Sequence, residues 1–315
     1  MKNVGPSAPD QLDPRSGFEA ELHCDTPLLP VSLPRVGRAR ATLTLLTGLR
    51  AGWVVSIDKP STTIGRSADA DIVVDDCGVS GHHACIARTS EAGYFVEDLG
   101  STNGTFLGAN RVDFAPLRGC DVVQLGPNIR FRFAIVDSNE AALHRRLYDS
   151  SVRDALTRVF NRRYLADRLV AEIARARRSA SDLDVLMVDV DCLKQINDRF
   201  GHLAGDRALC AIAHRIQRAL RVEDVLARYG GDEFVVLAVG GAGGDTFQLA
   251  ERIRRTVDTL RMSARGTPVH VTVSIGVASL REVGTSDDDA AALIARADAR
   301  LYVAKEAGRN RVCAS

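Results

Sequence analysis

Aromatic residues are scarce in this chain: 5% of 315 residues, with a single Trp. That shortage removes the aromatic–basic stripe on which single-stranded nucleic acids stack. Neither sign of charge is in excess, since 41 basic side chains face 40 acidic ones. A formal charge of +1 disfavours a general nucleic-acid or membrane-surface binder. No apolar run approaches the roughly 18 residues that span a bilayer, and no internal repeat is visible. The seven cysteines (24, 77, 85, 120, 192, 210 and 313) contain no CxxC pair. An odd, scattered set reads as packing thiols in a reducing compartment rather than as metal ligands or disulfides. Residues 1–37 hold several prolines and no basic stretch leading into an apolar one, so they read as a flexible leader rather than a signal peptide.

What is present is 45% hydrophobic content in a chain long enough for two ordinary cores. Residues 1–137 carry 13 basic and 16 acidic side chains, and residues 138–315 carry 28 and 24. The slight positive balance of the second half suits an anionic small-molecule substrate there. Periodicity divides the chain at nearly the same place. From 38 to 136, short runs such as Ala41–Leu46, His83–Ala87, Tyr94–Asp98 and Ile129–Val136 alternate with Gly- and Asn-rich turns, which predicts a β-sandwich. Residues 137–153 are charged and free of breakers, predicting a connecting helix. Beyond them helical faces (Leu165, Leu169, Ile173; Leu209, Ile212, Ile216) alternate with strands Val185–Val190, Phe234–Val239 and Val269–Leu280. That alternation predicts an α/β domain over 154–315.

Two features of the second half carry chemistry. Asp189 and Asp191 close an apolar strand, and alternate strand residues share a face. Carboxylates there suit Mg²⁺, although a charged strand end facing water fits equally well. Arg228-Tyr229-Gly230-Gly231-Asp232-Glu233-Phe234 sits between apolar runs. Its glycines allow a tight turn and a close backbone approach to phosphate, while Asp232 and Glu233 put two carboxylates at the rim. An ordinary Gly-Gly turn with solubilising acids is the plain alternative.

The stretch Gly230–Phe234 resembles the signature of the GGDEF diguanylate cyclases, and the similarity runs over about 150–312. It opens with Asp154-Ala-Leu-Thr157 and Asn161-Arg-Arg163, continues through Lys194, Asn197, Asp198, Gly201-His202 and Gly205-Asp206, and closes with Lys305, Gly308, Arg309 and Asn310. The resemblance implies an α/β domain with a central, mostly antiparallel sheet that converts two GTP into cyclic di-GMP across a head-to-tail homodimer. It implies Asp189, Asp232 and the Val190 carbonyl as ligands of two Mg²⁺ or Mn²⁺ ions, with Asp232 and Glu233 at the reacting centre. Leu193, Asn197 and Asp206 would meet guanine; Lys305 and Arg309 would hold phosphates, with Gly230 and Gly231 alongside. Arg221-Val-Glu-Asp224 matches the family's RxxD product site, through which cyclic di-GMP inhibits; a surface ion pair is the alternative. Two departures stand out: Cys192-Leu193 replaces aromatics, and Arg158 replaces a glycine.

In the first half, Gly65-Arg66, Ser80-Gly81-His82-His83 and Ser101-Thr102-Asn103-Gly104-Thr105 fall at turns between predicted strands. Together they resemble the forkhead-associated (FHA) domain over about 38–136. The resemblance implies that Arg66, Ser80 and Thr102 grip a phosphothreonine, that Asn103 holds the peptide main chain, and that His83 braces the loops. Gly81 stands where the family commonly has a basic residue. The short connector suggests that binding a phosphorylated partner, or a phosphorylated leader site such as Thr26 of a second copy, regulates dimerisation.

The whole reads as a cytoplasmic two-domain enzyme with no membrane span and no nucleic-acid polymer as partner. Its expected partners are GTP, cyclic di-GMP, a phosphothreonine peptide and a second copy. A non-catalytic FHA scaffold that only senses GTP or cyclic di-GMP is the competing reading. The retained Asp189 and Asp232 argue against it, and Asp206 argues against an adenine nucleotide.

Overall fold

The computed structural model describes residues 39–88, 93–221, 223–240, 243–284 and 288–314. The leader with Thr26, and Val222 inside the RxxD stretch, lie outside the described residues.

The first domain is built from β1 (Arg40–Leu45), β2 (Val54–Ile57), β3 (Ser61–Gly65), β4 (Ile72–Val73), β5 (Ala84–Arg88), β6 (Tyr94–Asp98), β7 (Thr105–Leu107), β8 (Asn110–Val112), β9 (Phe114–Leu117), β10 (Val122–Leu125) and β11 (Ile129–Val136). They form two sheets, in the orders β2-β1-β11-β10-β7-β8 and β4-β3-β5-β6-β9. In β11 the sequence IRFRFAIV alternates, so Ile129, Phe131 and Phe133 enter the core while Arg130 and Arg132 face water. Leu43, Ile64, Ile86, Val96 and Val123 meet them from the other strands. Five strands that sequence reading leaves as loop (β3, β7, β8, β9 and β10) are three to five residues long.

Helix α1 (Ser138–Val152) begins at the N-cap Asp137, whose carboxylate accepts from Asn139 N–H. It is the expected connector. Helix α2 (Arg162–Ser179) is capped by Asn161, which accepts from Tyr164 N–H at 2.9 Å. There follow β12 (Leu183–Val190), α3 (Leu193–Phe200), α4 (His202–Ala219), β13 (Val225–Gly230), β14 (Glu233–Val239), α5 (Gly243–Asp258), the small hairpin β15 (Met262–Ala264) and β16 (Thr267–Val269), β17 (Val273–Ser279), α6 (Asp289–Glu306) and β18 (Val312–Cys313). The sheet order is β13-β14-β12-β17-β18, antiparallel throughout except for the parallel β17–β18 pair.

Every residue of β12 is buried. The strand is central and covered on both faces, which is why it reads as an apolar run rather than an alternation. Leu186, Val188 and Val190 join the core under α4 and α5; Val185 and Met187 join the core under α2 and α6. By that parity Asp189 belongs to the α6 face. Helix α6 lies close on β17 at Gly276, where a Cβ would stand 2.1 Å from Ala297 O. This contact brings the last turn of α6 over the end of β12.

Among the described residues, α1 and α2 both meet the first domain. Tyr148 of α1 packs on Gly52, a Cβ at Gly52 meeting its ring at 3.3 Å. Asp75, in the loop after β4, pairs with Arg175 of α2 at 2.6 Å and lies 3.9 Å from Arg168.

Candidate functional site

The β13–β14 hairpin places the signature turn beside the end of β12. Asp189 pairs with Glu233 in the strand register, and Val190 N–H donates to Asp232 O at 3.1 Å. The register of β13 slips between Arg228 and Gly230. Neither Gly230 nor Gly231 adopts the left-handed region, and a Cβ at Gly231 would meet nothing. The tight-turn role expected for these glycines is therefore not required by their backbone; what they leave is open space above the turn. The turn is held instead by Arg228, whose Nη2 and Nε donate to Gly231 O at 2.7 and 3.1 Å. Its Nη1 donates to Asp154 at 3.1 Å, and Asp154 also accepts from the Thr157 hydroxyl at 2.7 Å. The opening motif thus braces the signature from the far side.

Asp189 is 6% exposed, and Lys305 of α6 reaches its Oδ2 at 2.8 Å. Burial pushes the Asp189 carboxyl up to about 6; the Lys305 ammonium opposes this, and the charges of Asp232 and Glu233 add to it. Carboxylates crowded in this way call for further positive charge, and their hard oxygens are the donors that Mg²⁺ accepts. Among the described residues no three His, Cys, Asp or Glu side chains are gathered as a metal cage. Two carboxylates and a main-chain carbonyl nonetheless fit an ion that keeps most of its water and shares phosphate oxygens. Asp191 takes no part. It is 6% exposed and accepts from Thr272 Oγ1 and Ser274 Oγ, each at 2.7 Å, and from Asn310 N–H at 3.1 Å.

On the other face, α3 and α4 meet at Asn197 and Gly205. A Cβ at 205 would stand 2.0 Å from Asn197 Oδ1, so only glycine admits the amide. Asn197 Oδ1 is buried and, among the described residues, has no hydrogen-bond partner, and Asp206 is the next residue of α4. Leu193 is packed in the core with Ile196 and Leu209. Arg158 has φ 62°, which accounts for the family's glycine there: the position is left-handed.

Arg221 and Asp224 do not sit on a helix, since α4 ends at Ala219. Asp224 accepts from the N–H of Arg221 at 2.9 Å and of Val239 at 3.3 Å. No ion pair joins the two side chains among the described residues, and Arg221 is exposed.

In the first domain the recognition loops converge. Ser80 N–H donates to His83 Nδ1 at 3.1 Å, so the ring proton of this buried histidine sits on Nε2 and is donated to Gly104 O at 3.1 Å. Thr102 N–H donates to Ser80 Oγ at 3.0 Å, and Asn103 Nδ2 to Gly78 O at 2.9 Å. Arg66 N–H donates to Ser80 O at 2.9 Å while its guanidinium is exposed. Gly65 lies under Gly81, where a Cβ would come within 1.9 Å of Gly81 O. Asp98 ties the turn before Thr102. Burial raises its pKa, but hydrogen bonds from Ser101 and Thr105 outweigh that and hold it below the usual carboxylate value. Among the described residues no helix is long and apolar enough to cross a membrane.

Sequence reading names Arg228, Asp191 and Gly205 within motifs without their bracing roles, and it misses Asp75 altogether. Only Gly205 leaves a sequence signal of that role, as a glycine inside a helical pattern.

Residues 62–126 match the FHA domain family, and the N-terminal sandwich is an FHA domain. Residues 151–311 match the family described as diguanylate cyclase, GGDEF domain. The diguanylate cyclase DgcP of Pseudomonas aeruginosa is 38% identical over 56% of this chain and 26% of its own length. The diguanylate cyclase DosC of Escherichia coli is 39% identical over 50% of this chain and 34% of its own length. The chain therefore spans about a quarter to a third of these curated relatives. Two crystal structures share the fold over 56% of this chain. The diguanylate cyclase SiaD of P. aeruginosa, solved with its activator SiaC, has TM-score 0.51, 35% identity and 66% of its chain covered. The coiled coil and GGDEF domain of DgcB from Caulobacter crescentus, solved with c-di-GMP, has TM-score 0.52, 29% identity and 92% covered. With the family matched over half of its length and the signature turn set against the end of β12, the chain belongs to the GGDEF diguanylate cyclase family.

Proposed function

We propose that the C-terminal domain joins two GTP molecules into cyclic di-GMP with release of two pyrophosphates. The N-terminal domain governs it by binding a phosphothreonine segment. The observation that carries the first part is Asn197 Oδ1, a buried acceptor without a partner, held beside Asp206 by the missing Cβ of Gly205. An orphaned buried acceptor is costly, and a base edge rich in donors satisfies it. Guanine presents N1–H and a 2-amino group to Asn197 and Asp206; adenine has neither.

From the base, the triphosphate runs toward Lys305 and Arg309 across the open Gly230–Gly231 turn. Asp189, Asp232 and the Val190 carbonyl would hold the two Mg²⁺ or Mn²⁺ ions. Bound there, these would neutralise phosphoryl oxygens and acidify the attacking hydroxyl. Glu233, opposite Asp189 in the sheet, takes the proton as the 3′-oxygen of one nucleotide forms its bond to the α-phosphorus of the other and pyrophosphate leaves. A second, reciprocal attack closes the ring. One chain holds one nucleotide, so two chains must face each other, and the isolated monomer is inactive.

Arg221 and Asp224 bind product. The turn is set by backbone hydrogen bonds to Asp224, and the Arg221 guanidinium is presented to solvent for a guanine or phosphate. In the first domain Arg66, Ser80 and Thr102 take the phosphate and Asn103 the peptide main chain. Control over the cyclase is supported by the Asp75 contacts. The loop that carries Ser80 is paired through Asp75 to Arg175 on α2. The first residue of the same helix, Arg162, donates to the Tyr229 hydroxyl at 3.3 Å, next to the signature glycines.

The test is incubation of nucleotide-stripped protein with GTP and Mg²⁺, followed by chromatography. Cyclic di-GMP that vanishes in Asp232→Ala is the expected result. No product from either the wild type or Arg221→Ala, with and without a phosphothreonine peptide, would overturn it.

A further inference from the structure

The turn that carries Arg309 is held in an unfavourable shape by residues with no assigned role. Arg309 and Asn310 are consecutive non-glycine residues in the left-handed region, with φ 62° and 46°. In that region Cβ crowds the following carbonyl, so an Arg enters it only when the surroundings hold it there. The first restraint is Asp191, buried beside the strand end, which accepts Asn310 N–H on Oδ2 at 3.1 Å. Its carboxylate is itself fixed by Thr272 and Ser274. The second restraint lies on α5: Arg254 Nη1 donates to Asn310 Oδ1 at 2.9 Å, and Asn310 Nδ2 donates to Asp258 Oδ1 at 3.4 Å. Arg254 is in turn fixed by Glu251 at 3.1 Å, and Asp258 faces His270 at 3.0 Å. Every polar group of the Asn310 side chain is thus occupied within the protein. Arg309, one residue earlier, is exposed, and among the described residues its guanidinium makes no ion pair.

We infer that Asp191 and Asn310, with Arg254 behind them, are positioning residues for the triphosphate end of the nucleotide. They lock the turn after α6 so that Arg309 points at the phosphates while Lys305, in the preceding helical turn, is committed to Asp189. The second aspartate of Asp189-Val-Asp191 is therefore an anchor between the metal-bearing strand and the phosphate-bearing turn, not a third metal ligand. The inference rests on the proposed nucleotide site and assigns residues within it.

Its test compares ligands that share the base but differ in phosphate. The full chain, stripped of nucleotide, is titrated with GMP and with a GTP analogue carrying a methylene bridge between the α- and β-phosphorus. Asp191→Asn takes the charge off the acceptor for Asn310 N–H, and Arg254→Met, on a different element, removes the donor to its side chain. Each is expected to weaken the GTP analogue about tenfold, the scale of one charge-assisted hydrogen bond, and to leave GMP within about twofold. KM for GTP should rise more than kcat falls. Arg254→Lys, which keeps a donor, should restore part of the loss. Equal losses for GMP and the analogue, or no loss in either variant, would overturn the inference while wild-type product formation left the cyclase reading standing. A wild type that binds GMP as tightly as the analogue would overturn both this inference and the assignment of Arg309 to phosphate. Should Asp191→Asn fail to fold, Arg254→Met decides alone.

Discussion

The two recognition surfaces of this chain are built to opposite plans. In the FHA domain the loops bind one another before any ligand arrives. His83 ties Ser80 to Gly104, Ser80 ties itself to Thr102, and Asn103 is tied to Gly78. Among the described residues the Arg66 guanidinium, the proton of the Thr102 hydroxyl and one oxygen of Asn103 are left over. In the cyclase domain the candidate site is unfinished: among the described residues Asn197 Oδ1 has no partner, and burial, opposed by Lys305, pushes the Asp189 carboxyl up to about 6. A reader of one fixed group gains from being rigid, because little ordering remains to be done on binding. A site proposed to take metals, a triphosphate and a second chain carries its unsatisfied groups until they come.

The comparison breaks most sharply at Gly65. Gly65→Ala drives a methyl into the Gly81 carbonyl, a backbone clash worth about 1–3 kcal/mol. Phosphopeptide binding in calorimetry should be lost and the first domain should melt earlier. If peptide affinity survives, the loops are not preassembled. Gly205→Ala attacks the other plan by displacing Asn197. KM for GTP should rise about tenfold, the worth of one lost base contact, and an unchanged KM would remove Asn197 from the base. Gly81→Arg sharpens the contrast. A Cβ at 81 meets only Ser67 Cβ at 3.8 Å, so the side chain is admitted and should raise phosphopeptide affinity about three- to tenfold by one added charged contact. Arg158→Gly should stabilise the cyclase domain by up to about 1 kcal/mol, since glycine takes the left-handed position without strain. A lower melting temperature would refute that reading.

The smallest effect is a pH dependence. The Lys59 ammonium, then the Thr63 N–H and hydroxyl, hold the Asp71 carboxyl down at about 2 from its usual 3.8. A lowered carboxylate pKa stabilises the fold above 3.8, and that share is lost as pH falls toward 2. Asp71→Asn should flatten the stability of the first domain between those two values, read as melting temperature against pH.

Much of this architecture was legible in the sequence, for reasons specific to each element. β11 alternates because one face meets a core and the other meets water. β12 reads as a continuous run because both of its faces are covered, and the carboxylate that ends it stands out against that background. Helix α3 was hidden, since eight residues with Asp198 and Arg199 near the end resemble a loop. The candidate site residues were legible through motif, but the bracing contacts of Arg228, Asp191 and Asp75 were not. Asp191 looks like Asp189 in sequence; only the arrival of Thr272, Ser274 and Asn310 from distant segments separates a buried anchor from a candidate ligand. Asp75 and Arg175 lie a hundred residues apart, and nothing local marks either as half of a pair.

Helix α2 meets the recognition loop through Arg175 and the signature turn through Arg162. Those residues are separated by about 20 Å of helix axis at 1.5 Å per residue. Over that length a tilt of about 3° moves the far end by about 1 Å, the misplacement at which catalytic geometry loses on the order of a hundredfold in rate. A rigid rod of this length turns a small angular change at the proposed peptide loop into a displacement that matters at the glycine turn, without any rearrangement of either domain's core.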